Sequence, residues 1–192
     1  QALFGIVQGS TFDDLREASA RRTVELGFDG YAIGGVSVGE EEHLRHRVVA
    51  LTAPMLPADR PRYLMGVGFP PDVIAAIGDG VDLFDCVAPT RMGRNATAFT
   101  AGGRLRLRNS ALKADRRPVQ DGCDCPCCRL YSRGYLNHLF RVGEMLGPIL
   151  LSVHNLAFYA RMMTQARRAI RQGRFGQFRD GFIARYDSGK EQ

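Results

Sequence analysis

The sequence predicts an α/β fold in which a parallel sheet is covered by helices. Two observations predict it: four short, largely apolar runs recur along the first half of the chain, and the stretches between them carry helical periodicity. Apolar runs without polar alternation suit strands buried on both faces, as in parallel sheets. A third observation is that the runs close on glycine, in Gln8-Gly9, Gly34-Gly35 and Gly66-Val-Gly68, as turns at strand ends require.

Leu3 to Val7 is the first strand, and Ser10 or Thr11 is placed to cap a helix with Asp13 and Asp14 in its first turn and Gly27 at its end. Tyr31 to Ile33 is the second. The helix after it shows Leu44, Val48, Leu51 and Met55 at spacings of four, three and four, until Pro57 stops it. Arg62 to Val67 is the third strand, and Pro71 suits the first turn of a short helix through Ile77, closed by Gly78 and Gly80. Val81 to Val87 is the fourth, which makes four βα-type units. Beyond it the pattern changes. Pro89 to Arg108 reads as loop and short antiparallel strands, and Asn109 to Arg129 as a polar, cysteine-rich segment. Tyr131 to Gln172 reads as helix broken near Gly147-Pro148, and Gly173 to Tyr186 as a short aromatic helix.

At 192 residues, 45% apolar and 24% charged, the chain suits one domain with a sizeable core. It opens in an apolar run with no Met and no signal-like leader, and so reads as a strand inside a larger, truncated domain. No apolar stretch reaches the roughly 18 residues of a membrane helix, so a soluble protein is expected. The net charge of +6 comes mostly from arginine, since only Lys113 and Lys190 are lysines. A guanidinium binds phosphate through two parallel hydrogen bonds, which makes nucleic acid a natural partner; a solvated basic face is the plain alternative. Four of the five cysteines fall in Cys123 to Cys128, a spacing that suits a metal better than disulfides and implies a reducing cytoplasm.

Cys123, Cys125 and Cys128 form a C-x-C-x-x-C pattern, and a closed tetrahedral zinc site needs a fourth ligand. Cys127 and His154 compete for that place. His154 is favoured, because adjacent residues rarely both point at one ion. Of Asp79, Asp82 and Asp85, only Asp85 occupies the C-terminal end of the fourth strand, where the βα loops of such folds converge. A carboxylate there can act as nucleophile or base, or stabilise an oxocarbenium-like sugar; a helix cap or ion pair is the bland reading. Neither G-x-G-x-x-G nor a P-loop is present, so a nucleotide-phosphate cofactor is not indicated. Thr90-Arg-Met-Gly-Arg94 follows Asp85 closely and suggests a substrate whose phosphates flank a reacting sugar.

These residues resemble the tRNA-guanine transglycosylases, enzymes that exchange a guanine in tRNA for a deazaguanine base. The stretches LFGIVQGS, GFDGYAIGGVSVGE, YLMGVGFP, DLFDCVAPTRMGRN and CDCPCCRLYSRGYLNHLF, then HNLAFY and GRF, run in the family's order from Leu3 to about Tyr186. The resemblance implies the second half of a TIM (β/α)8 barrel, about four βα units, with a zinc-binding insertion and C-terminal helices. Residues 1–88 would be the barrel half, 89–130 the insertion with its zinc subdomain, and 131–192 the helices completing both. Asp85 would be the nucleophile at ribose C1′, forming a covalent tRNA intermediate. Gln8 and Gly35 would contact the base, in a pocket shared with Gly34, Val36 and Val38. Glu40 would support the backbone of Gly34 to Val36, and Met65 would pack on the purine. Gly66, Val67, Gly68, Phe69, Pro70, Pro71 and Asp72, with Thr90, Arg91, Met92, Gly93 and Arg94, would hold the anticodon loop. Cys123, Cys125, Cys128 and His154 would hold one structural zinc.

The partners so implied are a tRNA with guanine at the wobble position and a deazaguanine base, in the cytoplasm, with no membrane and with homodimer formation in the full-length form. Val38 stands where the eukaryotic pattern has glycine, which points to 7-aminomethyl-7-deazaguanine of bacterial queuosine biosynthesis rather than the larger queuine. Val36 replaces a common leucine, Phe69 a small or polar residue, and Cys127 is an extra thiol. The family's first barrel half, with its second catalytic aspartate, lies outside the chain, so the isolated chain is expected to be inactive. A non-catalytic tRNA-binding or scaffolding relative is the alternative, against which Asp85 in an intact FDCV context argues.

Overall fold

The computed structural model describes residues 1–36 and 41–188. The chain divides into two compact units, Gln1–Cys86 and Val87–Gln192. In the first, strands β1 (Phe4–Val7), β2 (Gly30–Ile33), β3 (Arg62–Leu64) and β4 (Leu83–Phe84) form one parallel sheet in the order β1-β2-β3-β4. The crossovers carry α1 (Asp13–Glu25), α2 (Glu42–Thr52, prolonged by a 3-10 turn, Ala53–Met55) and α3 (Pro70–Gly78). This is the α/β class that the apolar runs predict. Every residue of β2 is buried, as befits a strand with neighbours on both sides, and Val7, Ile33 and Leu64 pack with Val48, Val49, Ala53 and Ala76 from the helices.

The register carries a functional consequence. Val7 pairs with Ile33, Ile33 with Leu64, and Leu64 with Phe84, so the next residue on each strand, Gln8, Gly34, Met65 and Asp85, falls in one row at the same sheet end.

Several elements differ from expectation. The third strand stops at Leu64 because the chain turns through Gly66, whose φ of 73° is left-handed. The fourth is only Leu83–Phe84, matching the part of β3 that it pairs with. Neither Ser10 nor Thr11 caps α1. Phe12 precedes it without a side-chain cap, while Ser10 is itself left-handed at φ 50°. Gly27, at φ 71°, terminates α1 as expected.

The second unit holds α4 (Ala88–Arg94), the antiparallel hairpin β5 (Thr97–Thr100) and β6 (Gly103–Arg106), a 3-10 turn (Ser110–Leu112), α5 (Pro126–Leu130), α6 (Arg133–Val142), α7 (Leu146–Arg171) and α8 (Phe175–Ser188). Pro89 to Arg94, expected as loop, is therefore helical, with Pro89 in a first turn that has no use for its missing N–H. The break in the long helical stretch lies earlier than Gly147-Pro148: α6 ends at Gly143 (φ 76°), and Gly147 and Pro148 open α7. α4 lies directly on α7. A Cβ on Gly93 would come within 2.7 Å of Ser152 Oγ and 2.8 Å of its backbone nitrogen, so only glycine fits the crossing. Fully buried Asn155 ties the neighbouring elements together, donating to the carbonyls of Pro89 (2.9 Å) and Thr97 (3.0 Å) and accepting from the Phe99 N–H (2.9 Å). Among the described residues no helix is long and apolar enough to cross a membrane.

Candidate active site and metal centre

Asp85 follows β4 immediately and is solvent-exposed. The Tyr63 hydroxyl, from β3, donates to its Oδ1 at 2.7 Å, and the Gly66 N–H, from the turn after β3, donates to the same oxygen at 2.8 Å. The Gly66 N–H above all, and then the Tyr63 hydroxyl, hold the carboxyl below the usual carboxylate range against a small opposing effect of burial. Tyr63 shifts the opposite way, its phenol pushed up by the hydrogen bond it gives Asp85. The result is an accessible, ionised carboxylate at a strand end, oriented through one oxygen by two donors. Asp85 stands out in the sequence, whereas Tyr63, which donates to it, is marked there only by its place two residues before Met65.

Across the same row, the Gln8 side-chain amide lies against the Gly34-Gly35 turn. A Cβ on Gly34 would stand 2.6 Å from Gln8 Nε2, and one on Gly35 2.7 Å from its Oε1; Gly35 is also left-handed at φ 66°. Both glycines are needed for the amide to lie there. Beneath them is Arg16, on α1 and without solvent exposure, a residue the sequence did not single out. Its guanidinium donates to the carbonyls of Ser10 (2.8 Å), Val7 (3.3 Å) and Gly35 (3.1 Å), joining the ends of β1 and β2 through one side chain. A buried guanidinium that donates to three carbonyl oxygens positions the backbone it binds, and an arginine in a helix carries no sequence mark of that role. Val36 is buried and Met65 half-buried. Val38 and Glu40 lie outside the described residues.

The two stretches expected to meet RNA fall in different units. In the first, Gly66 and Phe69 are exposed and Pro71 is half-buried, whereas Val67, Gly68 and Pro70 are buried. A Cβ on Gly68 would overlap the Cys86 side chain, which accounts for that glycine structurally. Asp72 is buried too, and binds Arg45 (2.9 Å) and His46 (2.8 Å) from α2. Glu42, His46 and Asp72 converge closely enough to suggest a cation, but the Arg45 guanidinium already occupies the Asp72 carboxylate. In the second stretch Arg91 and Arg94 are exposed, Thr90 and Met92 half-buried, and Gly93 is the helix-crossing residue.

The metal centre lies within the second unit. Cys123, Cys125, Cys128 and His154 are all buried, with their ligand atoms within 4.8 Å of one another. His154 Nδ1 stands 3.7 Å from the sulfurs of Cys123 and Cys125 and 3.3 Å from that of Cys128, and the first two sulfurs are 3.3 Å apart. A zinc tetrahedron with bonds of about 2.0–2.3 Å has edges of about 3.5–3.8 Å, so the donors are nearly in place. The other ring nitrogen, Nε2, lies 2.9 Å from the Phe99 carbonyl, which selects the tautomer that turns the Nδ1 lone pair to the sulfurs. Burial pushes the imidazole down to about 4, keeping it neutral. Burial also opposes ionisation of Cys123, yet hydrogen bonds from Cys125, Cys128 and the Arg161 guanidinium (3.0 Å) lower its pKa on balance. The donors thus fit one structural zinc. Cys127 is buried outside this group of converging donors, so the geometry favours His154 over Cys127 as the fourth ligand.

An ionised carboxylate at the strand ends of a parallel sheet and a buried Cys3His donor set that fits zinc define the class, an α/β protein with a structural zinc site. Comparison with known proteins narrows this class: a family model described as queuine tRNA-ribosyltransferase matches residues 1–188, and the chain belongs to that family. Proteins named queuine tRNA-ribosyltransferase from Symbiobacterium thermophilum and Pelotomaculum thermopropionicum are 50% and 53% identical over 192 and 186 residues, 100% and 97% of this chain. One from Nitrosomonas europaea is 55% identical over 177 residues, 92% of this chain. The chain spans about half the length of these curated relatives, namely 48%, 50% and 48%.

Proposed function

We propose that the chain is the C-terminal half of a tRNA-guanine transglycosylase, its sheet one half of a (β/α)8 barrel (residues 1–88), followed by a zinc-bearing insertion (89–130) and closing helices (131–192). The observation that carries this reading is the accessible, ionised Asp85 in the row with Gln8, Gly34 and Met65.

In the proposed reaction an Asp85 carboxylate oxygen attacks ribose C1′ of the wobble nucleotide. The C1′–N9 bond breaks, its electron pair passes to N9, and guanine leaves on taking a proton. The incoming base then gives up its N9 proton and attacks C1′, and the Asp85–ribose bond breaks to restore the carboxylate. Gln8 and the Gly35 backbone orient the base, and Met65 packs on its face. Valine at position 38, where the eukaryotic pattern has glycine, favours 7-aminomethyl-7-deazaguanine over the larger queuine, in the bacterial route to queuosine. Arg91 and Arg94 supply guanidinium groups for RNA phosphates, and the zinc, held by Cys123, Cys125, Cys128 and His154, supplies structure rather than chemistry. The protein works in the cytoplasm as a homodimer.

Proton transfer to the leaving guanine requires a second acid, which the resemblance assigns to residues outside these 192. The chain alone is accordingly expected to give no radiolabelled guanine exchange into tRNA. In the complete protein, Asp85→Asn is expected to abolish the denaturation-resistant tRNA adduct seen on gels. An adduct that persists places the nucleophile elsewhere.

A further inference from the structure

The metal centre is held by more than its four donors. Helix α7 carries His154, and Arg161 follows it two helical turns along, on the same side of the helix. The Arg161 guanidinium meets the cysteine loop at two points. One terminal nitrogen donates to Cys123 Sγ at 3.0 Å, and the other to Asp124 Oδ1, also at 3.0 Å. One helix therefore brings an imidazole to three sulfurs and a cation to one of them.

The donors that serve the three sulfurs differ in kind. Cys125 Sγ accepts from the Cys128 N–H at 3.5 Å, and Cys128 Sγ from the backbone of Gln120. Cys123 Sγ accepts from the Cys125 backbone and, in addition, from Arg161. The backbone donors are set by the turn itself, whereas the guanidinium is a side-chain addition with a full positive charge.

Charge gives that addition a use. Cysteines bind zinc as thiolates, so three of them with a neutral imidazole and a divalent ion carry a single net negative charge. All four ligands are buried, and a buried charge without a partner is costly. The Arg161 side chain is 30% exposed and Asp124 90% exposed, so the carboxylate is well screened by water while the guanidinium is turned to the sulfur.

We propose that Arg161 is a positioning residue of the metal centre: its guanidinium fixes the Cys123 thiolate toward the ion and offsets the net negative charge of the closed site. The proposal concerns the metal alone and stands whatever the chain acts on.

The test is the zinc affinity of the full chain, measured by competition with a tight-binding chelator at fixed pH, together with the absorption of the cobalt(II) form. R161M keeps the aliphatic stem but removes charge and donors, and is expected to weaken zinc binding by about 10–100-fold. Loss of the donor raises the energy of the sulfur lone pair, so the thiolate-to-cobalt charge-transfer band should move to longer wavelength. R161K keeps the charge without the planar fork and should recover part of both effects. D124N should change zinc affinity by less than about fivefold, the ceiling for an exposed ion pair, and leave the cobalt band in place. Unchanged zinc affinity in folded R161M overturns the proposal. Weaker binding with an unmoved cobalt band also overturns it, since Arg161 would then only brace the helix. A D124N loss equal to that of R161M does the same, because it credits the ion pair rather than the sulfur contact. Should R161M fail to fold by circular dichroism even with zinc in excess, R161K is read in its place: weaker binding with a shifted band upholds the proposal, and values equal to those of the unaltered chain overturn it.

Discussion

At the scale of single residues, the Asp85 carboxylate is tuned by donors rather than by burial. Because its pKa is lowered, Asp85 stays ionised as pH falls toward the ordinary carboxylate value of about 4. Adduct formation in the complete protein is expected to be limited by this group only below about pH 5, as read from single-turnover rates; an Asp85-linked loss centred near pH 7 would contradict it. The sign for stability is the same: the small contribution of an exposed carboxylate is present above its unfolded pKa and lost as pH falls through the folded one. Tyr63→Phe removes one donor, so the titration point should rise and adduct formation slow by about tenfold, the lower end for a hydrogen bond to a charged group once solvent screening is allowed for. Asp85 was legible because a carboxylate at the end of an apolar run is conspicuous. Tyr63 was not, since a tyrosine in a strand has ample reason to be there for packing alone.

At the scale of elements, two side chains hold strand ends and helices in place. Arg16→Met leaves the carbonyls of Val7, Ser10 and Gly35 without their guanidinium and is expected to cost about 2–4 kcal/mol, measured by denaturant unfolding. A loss under about 0.5 kcal/mol would mean that water replaces it. In the metal centre, Cys125→Ala should release zinc and lower the melting temperature together, whereas Cys127→Ala should keep zinc and cost only about 1 kcal/mol for the vacated volume. Equal zinc loss in both variants would reopen the assignment of the fourth ligand. The ligand set was legible because thiols so closely spaced have few other uses. Asn155 was not, although it adjoins His154, because nothing in the sequence reveals that its amide meets three backbone groups from two other elements. Helix α4 was missed for a related reason: the apolar run through Val87 leads straight into Pro89, and proline suits a loop as well as a first helical turn.

At the scale of the whole molecule, the parallel order of the sheet was readable from the alternation of runs, and the change of pattern after Val87 falls within a residue of the division between the units at Cys86 and Val87. Among the described residues, strands β1 and β4 each have a single neighbour in the sheet, and Leu3, Ile6 and Leu83 are 65%, 45% and 46% exposed. Edges of this kind recruit further strands, so the chain should associate as its concentration rises, and Ile6→Lys should reduce that association in light scattering. A particle that stays monomeric at every concentration would count against it. The spacing of the metal ligands bears on synthesis. Cys128 and His154 are 26 positions apart, so the three thiols leave the ribosome well before the imidazole that completes their set. The nascent chain therefore passes through an interval in which its thiols can hold a metal only incompletely, and the knot closes once α7 has been made.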